Sequence, residues 1–381
     1  MSAAPSPERL DAFRAEVRGW LAGNVPHPPL ASLDTADGFV AHQEWERRLH
    51  ADRLSVITWP KEYGGREVSI EEWLVFEEEY WAAGAPARVS QNGIFLLAPT
   101  IFEYGTPSQK DRFLPSMASG EQIWAQGWSE PGAGSDLAAL RSKAERVDGG
   151  WRVSGQKTWS SRAVFAHWMF GLFRSDPEST RHHGLTYLLL PLDAKGVTVR
   201  PIRQFDGEAG FAEVFLDNVF VPDDQVLGDV GSGWAVAMST TTSERGLTLR
   251  SPGRFLAAAV RLVELYQRCG DPADSAMRAA VSAAAADARA YQLYVDATAA
   301  RVRAGIPIGF DSSANKVFWS ELDIRIHELA LELLSESAYL TGTPDDGWLD
   351  GYQFALAGPI YGGTNEIQRN IVAERVLGLP R

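Results

Sequence analysis

The densest chemically capable segment is Gln126-Gly127-Trp128-Ser129-Glu130-Pro131-Gly132-Ala133-Gly134-Ser135-Asp136. It joins a strand-like stretch to a loop of small residues, where backbone N–H groups can approach a ligand closely. A plain surface turn has the same composition, because Gly and Pro mark turns generally. Gly155-Gln156-Lys157-Thr158-Trp159-Ser160-Ser161 sets an indole among hydroxyls. Such a group could cover one face of a planar cofactor while the hydroxyls bond its polar edge, or the Trp could simply pack into a core. In Thr242-Ser243-Glu244-Arg245-Gly246, adjacent helical residues point about 100° apart, so Glu244 and Arg245 need not pair. Glu244 could face inward as a base; the plainer reading makes both residues solvated surface charges. Last, Ile360-Tyr361-Gly362-Gly363-Thr364-Asn365-Glu366-Ile367-Gln368-Arg369-Asn370-Ile371 places glycines before a helix that Thr364 would cap. Free N–H groups there suit an anionic or carbonyl oxygen, although an ordinary loop-to-helix junction looks the same.

Other chemistries find no support. His182-His183 sits in a polar, Arg-rich stretch, and no His/Cys/Asp cluster has zinc-like spacing. The chain has no Gly-x-Ser-x-Gly elbow and no P-loop. Gly228, Gly231 and Gly233 lack the spacing and context of a dinucleotide fingerprint. The net charge of −13 argues against nucleic acid or an anionic membrane as partner, yet leaves room for a phosphorylated ligand at a local site. Met1 to Leu10 has no apolar run of a secretory signal, and no stretch reaches the ~18 apolar residues of a membrane span. The single cysteine, Cys269, fits a reducing, cytoplasmic setting.

The elements that must position these segments read as helices, then strands, then helices. In the first third, Leu10, Phe13, Val17, Trp20 and Leu21 share a helical face, and Ser69-Ile70-Glu71-Glu72 and Thr106-Pro107-Ser108-Gln109 are capping boxes. Near residue 122 the period changes. Arg146 to Val153 has the Asp-Gly signature of a hairpin, and alternating runs follow at 184–191, 197–203, 211–216 and 219–227. After Gly233 long helical patterns return at roughly 234–268, 274–303, 311–337 and 363–377. The third of these puts Val317, Phe318, Leu322, Ile326, Leu329 and Leu333 on one stripe. The expectation is an α+β chain: a helical domain at 1–121, an antiparallel β-domain at 122–232 and a helical bundle at 233–381.

In this order the segments resemble the acyl-CoA dehydrogenase family over nearly the whole chain. The resemblance rests on Ser129-Glu130-Pro131…Gly134-Ser135-Asp136, Lys157-x-Trp159, Gly363-Thr364-Asn365-Glu366-Ile367-Gln368-Arg369 and, near the front, Trp59-Pro60-Lys61-Glu62-Tyr63-Gly64-Gly65. It implies a C-terminal four-helix bundle, with FAD between it and the β-domain. It further implies that Gln126, Trp128 and Ser129 line the flavin's pyrimidine side, Trp159 flanks its ring, Ser161 sits near N5 and Thr364 contacts FAD. Ser135 would lie along the acyl-CoA, whose Cα–Cβ bond would be oxidised to the trans-2-enoyl thioester. Many members carry a glutamate directly after the tyrosine of the last motif, where this chain has Gly362. A second group places it on the long helix before an arginine, as in Glu244-Arg245. By that resemblance Glu244 is the base, beside Arg245 at the substrate, while the Gly362 N–H serves the thioester oxygen.

Two family segments are replaced, one by Tyr266-Gln267-Arg268-Cys269-Gly270-Asp271-Pro272 and one by Glu336-Ser337-Ala338-Tyr339-Leu340-Thr341-Gly342. In the family both hold part of a neighbour's FAD. The pattern looks like one subunit of the bacterial two-component enzymes, which include those acting on steroid side chains. The expectation is an α2β2 assembly with a related partner, a homo-oligomer being the alternative, and an electron-transfer flavoprotein-type acceptor. A bulky or branched acyl group fits the base on the long helix. The rival readings are a flavin oxidase or monooxygenase on the same fold and a non-catalytic interface subunit.

Overall fold

A computed structural model of the chain describes residues 4–380, apart from 246–250, 307, 311, 341 and 344, and only the backbone of 242–245. In chain order the helices are α1 (Pro7–Asn24), α2 (Ala36–Ala51), α3 (Ile70–Ala82), α4 (Ala98–Tyr104), α5 (Pro107–Ala118), α6 (Gly233–Arg245), α7 (Pro252–Cys269), α8 (Ser275–Arg303), α9 (Ser312–Leu334), α10 (Gly347–Leu356) and α11 (Asn365–Ile371). Between α5 and α6 run β1 (Trp124–Gly127), β2 (Lys143–Val147), β3 (Gly150–Ser161), β4 (Trp168–Arg174), β5 (Leu185–Pro191), β6 (Val197–Ile202), β7 (Phe211–Pro222) and β8 (Val226–Leu227). The α+β order expected from the sequence holds.

The local signals act as written. Ser69 Oγ accepts the Glu72 N–H while Glu72 returns a carboxylate to the Ser69 N–H, at 3.2 and 2.8 Å. Thr106 and Gln109 close the second capping box on α5. Asp148 and Gly149 form the β2–β3 turn, with Val147 opposite Gly150.

The chain packs into two compact units, each assembled from separate stretches: Met1–Val25, Ser69–Ala85 and Arg245–Arg381 in one, Pro26–Val68 and Pro86–Glu244 in the other. The second unit is built on an eight-stranded sheet ordered β6-β7-β3-β2-β4-β5-β8, with β1 beside β4. The sheet is mixed where a purely antiparallel one was expected. β1 and β4 run parallel because the β2–β3 hairpin intervenes in sequence, and β2 touches β4 in parallel at Lys143. The run at 211–216 and the first part of that at 219–227 form one long β7, with Asn218 in a left-handed backbone (φ +52°) between them, and the end of the second run is the separate β8. Trp151, Val153, Met169, Phe173, Leu188, Leu190, Val214 and Val221 form the buried core of the sheet.

In the helical unit α7, α8 and α9 meet through Phe255, whose ring packs edge-on to Tyr291 and tilted on Trp319. On α9, Leu322, Ile326 and Leu329 are buried as the stripe requires, but Phe318 is 38% exposed. It falls at the edge of the apolar arc and stacks on Tyr291 instead. The long pattern at 234–268 resolves into α6 and α7, and α10 was not anticipated. Backbones approach closely where α7 meets α3: a Cβ at Gly253 would stand 2.6 Å from the Glu77 carbonyl oxygen, so only glycine fits.

Candidate active site

β3 holds the candidate residues Trp159 and Ser161. Up to Val153 it alternates cleanly, with Trp151 and Val153 inward. Its pairing with β7 then slips between Lys157 and Ser160. A bulge of this kind re-aims side chains. Here Trp159 adopts φ +58°, rare for a bulky residue, and its indole is 59% exposed. Its ring meets Phe211 edge-on at 5.9 Å. Ser160 is fully buried and Ser161 half-buried. Arg162 also has positive φ (+53°), gives its N–H to the Gly210 carbonyl at 2.9 Å and pairs with Asp34 at 2.8 Å. Strained backbone held from both sides is characteristic of ligand sites.

Behind Trp159 lies a clamp. Lys157 is fully buried; its Nζ donates to Glu130 at 2.8 Å and to the Leu172 carbonyl at 2.8 Å, and lies over the Phe173 ring. Glu130 in turn accepts the N–H groups of Arg141 and Ser142, at 2.6 and 2.9 Å. Thr158 N–H donates to the Ser129 carbonyl at 2.9 Å. Burial pushes Glu130 up, but Lys157 and the donors around it outweigh that and hold its carboxyl below its usual range. Burial pushes the Lys157 ammonium down. The clamp locks the Gln126–Asp136 segment onto β3. Gln126 is half-buried on β1, Trp128 is buried, Ser129 half-buried, and Ser135 exposed on the loop.

Sequence reading missed the pair, treating Glu130 and Lys157 only as motif letters. The signal was present: Lys157 falls on the inward, apolar side of β3, and a lysine there needs a carboxylate.

In the helical unit Gly362 and Gly363 both take positive φ, +65° and +79°, and Thr364 caps α11 through its Oγ1, which accepts the Ile367 N–H at 3.3 Å. In α6, Val236 and Thr240 are fully buried. Thr240 Oγ1 bonds Thr100 Oγ1 at 2.8 Å and Tyr187 Oη at 3.2 Å, fixing α6 against α4 and β5. The side chains of Glu244 and Arg245 lie outside the described residues.

The three domain models of one family match the chain in succession: acyl-CoA dehydrogenase N-terminal domain at 7–121, middle domain at 125–219 and C-terminal domain at 231–377. The acyl-CoA dehydrogenase IpdE1 of Mycobacterium tuberculosis is 42% identical over 98% of both chains. The chain belongs to the acyl-CoA dehydrogenase family. It is an oxidoreductase of that class. Among solved structures, the ChsE4-ChsE5 complex from Mycobacterium tuberculosis matches with a TM-score of 0.86 and 31% identity, covering 100% of each chain. The Tcur3481-Tcur3483 steroid ACAD matches at 0.87 and 27%, again over 100% of each.

In this acyl-CoA dehydrogenase the stretch at the end of α7 is engaged within its own chain. Arg268 pairs with Asp345 at 2.7 Å within the same chain. Both line a cavity of about 650 Å³ together with Arg261, Glu264, Gln267 and Trp348. Among the described residues, no group of three or more His, Cys, Asp or Glu side chains is arranged to hold a metal, and no helix is long and apolar enough to cross a membrane.

Proposed function

We propose that this acyl-CoA dehydrogenase uses FAD to convert an acyl-CoA thioester to its trans-2-enoyl form. The observation that carries the reading is Trp159: a large indole turned outward on a strained backbone, beside Ser161 and fixed from behind by Lys157 and Glu130. A planar ring system suits such a face, with Gln126, Trp128, Ser129 and Ser161 as its polar and apolar contacts, and Thr364 contacts FAD by the family resemblance. When bound, FAD supplies the acceptor for the hydride that leaves Cβ.

The chain's own residues deal with the proton. A hydrogen α to a thioester is weakly acidic, so its removal needs a base and a donor for the charge growing on the carbonyl oxygen. Glu244 is the base. Supporting this, Glu244 stands on α6 directly before an arginine, the pattern of the family's second group of bases. The Gly362 N–H serves the thioester oxygen, with Ser135 and Arg245 along the substrate.

The partner is a related subunit in an α2β2 assembly. Supporting this, Arg268 is committed to Asp345 within its own chain, and a solved relative is the ChsE4-ChsE5 complex. The substrate class is a bulky acyl-CoA, in keeping with a neighbour described as a steroid ACAD, and an electron-transfer flavoprotein-type protein is the acceptor.

Anaerobic titration of the FAD-loaded protein with a panel of acyl-CoAs tests the reading. Flavin bleaching by at least one member is expected, and Glu244→Gln should slow it by about 10²-fold or more. No bleaching with any acyl-CoA defeats the dehydrogenase reading, and an unchanged rate in Glu244→Gln removes that residue as base.

A further inference from the structure

Trp159 is bordered by two chains, and one carboxylate grips the end of both. The β3–β7 ladder has its outermost rung at Ser161 and Phe211, and Phe211 is the residue that meets the Trp159 ring. One step past that rung stand Arg162 and Gly210, joined by the Arg162 N–H at 2.9 Å. Asp34, from the segment before α2, reaches both. Its Oδ1 lies 2.8 Å from Arg162 Nε. A Cβ on Gly210 would stand 2.6 Å from its Oδ2, so the carboxylate fills the space a side chain there would need. The paired side chains are only 12% and 22% exposed, which leaves little water to screen them.

The grip comes from a braced segment. Thr35 caps α2 by accepting the Gly38 N–H at 3.2 Å, and its Oγ1 donates to the Ser32 carbonyl at 2.8 Å. Ser32 Oγ donates in turn to Glu208, on the loop between β6 and β7. His42 of α2 places a ring nitrogen 3.2 Å from the Ala31 carbonyl. The same helix holds the chain beyond Arg162, because Phe39 packs on Phe165 at 5.3 Å. The Phe165 and Ala166 N–H groups both donate to the Arg162 carbonyl at 2.9 Å. Arg162 is thus fixed at its N–H, its carbonyl and its guanidinium. A φ of +53° is unfavourable for an arginine and persists where the surroundings over-determine it.

The slip of β3 against β7 lies on one side of Trp159 and this clip on the other. We infer that Asp34 is a positioning residue for the flavin: by holding Arg162 against Gly210, it fixes the ring-binding face that Trp159 and Ser161 present. The inference rests on the FAD reading above and extends it to a segment that precedes the sheet in sequence. A face that is fixed beforehand loses little order on binding. Loosening it should weaken FAD binding and change the surroundings of the bound ring.

The test uses FAD-loaded protein, with its partner subunit where the two co-purify. Affinity is read from the flavin released on serial dilution, and the setting of the ring from the visible circular dichroism of the FAD still bound. Asp34→Asn keeps the shape and removes the charge; Arg162→Met breaks the pair from the other side and serves if the first does not fold. Expected is about tenfold weaker FAD binding in each, no further loss when the two are combined, and an altered visible dichroism. Unchanged affinity and dichroism overturn the inference while leaving the FAD reading intact. Weaker binding with an unchanged dichroism, losses that add in the double variant, or failure of both variants to fold would reduce Asp34 to a structural residue and overturn it as well. If the unaltered protein binds no FAD, the underlying reading falls and the inference with it.

Discussion

Lys157 and Glu130 form a buried ion pair that ties the loop after β1 to β3. Each member alone would be costly to bury, and removing one partner strands the other's charge in a low-dielectric interior. Lys157→Met should therefore destabilise the protein by about 3–5 kcal/mol, and adding Glu130→Gln should recover part of that loss. Urea unfolding of the single and double variants checks this; simple additivity would show the pair is not coupled. The pH dependence has a definite sign. Because Glu130 titrates below its unfolded value when folded, its contribution is complete above the ordinary carboxylate range and disappears as pH falls through the folded value. An acid-side loss of stability that is absent from the double variant is expected.

At the scale of elements, helices are held by backbone proximity as well as by apolar stripes. Gly253 lets α7 lie against the Glu77 carbonyl of α3. In an exposed helix Gly→Ala would stabilise by roughly 0.5–1 kcal/mol, but at 2.6 Å the added methyl must push two backbones apart. Gly253→Ala should instead destabilise by about 1–3 kcal/mol, read from the denaturation midpoint. A neutral or stabilising result would mean that α7 can slide. The same scale explains why α6 matters: a hydroxyl chain through Thr100, Thr240 and Tyr187 fixes its register one turn before position 244.

At the scale of the whole molecule, the helical unit leaves several large apolar groups exposed, among them Phe310, Tyr339, Leu340, Phe354 and Ile360, at 46–70%. Apolar surface gathered in one unit suits a subunit interface. Tyr339 and Leu340 lie in one of the two segments that the sequence resemblance marks as departing from the family pattern, and Arg268 in the other. Expressed without a partner, the chain should therefore bind FAD substoichiometrically; co-expression with a related subunit should restore flavin content and activity. Size-exclusion chromatography with a flavin-to-protein ratio checks this, and a homotetramer carrying full FAD and activity defeats the heteromeric reading.

The order of elements, the capping boxes, the β2–β3 hairpin and the segments around Trp159 and Thr364 were legible in the amino-acid sequence, because each depends on neighbours within a few residues. Contacts across the chain were not. Glu130 meets Lys157 27 residues away, Asp34 reaches an arginine whose left-handed backbone no propensity describes, and β1 pairs with β4 across an intervening hairpin. The outward turn of Trp159 belongs to both levels: hydroxyls around an indole suggest a ring-binding face, but only the slip of β3 against β7 decides which way that indole points. Local sequence sets which backbone conformations are inexpensive; tertiary packing selects among them by burying what cannot be left in water.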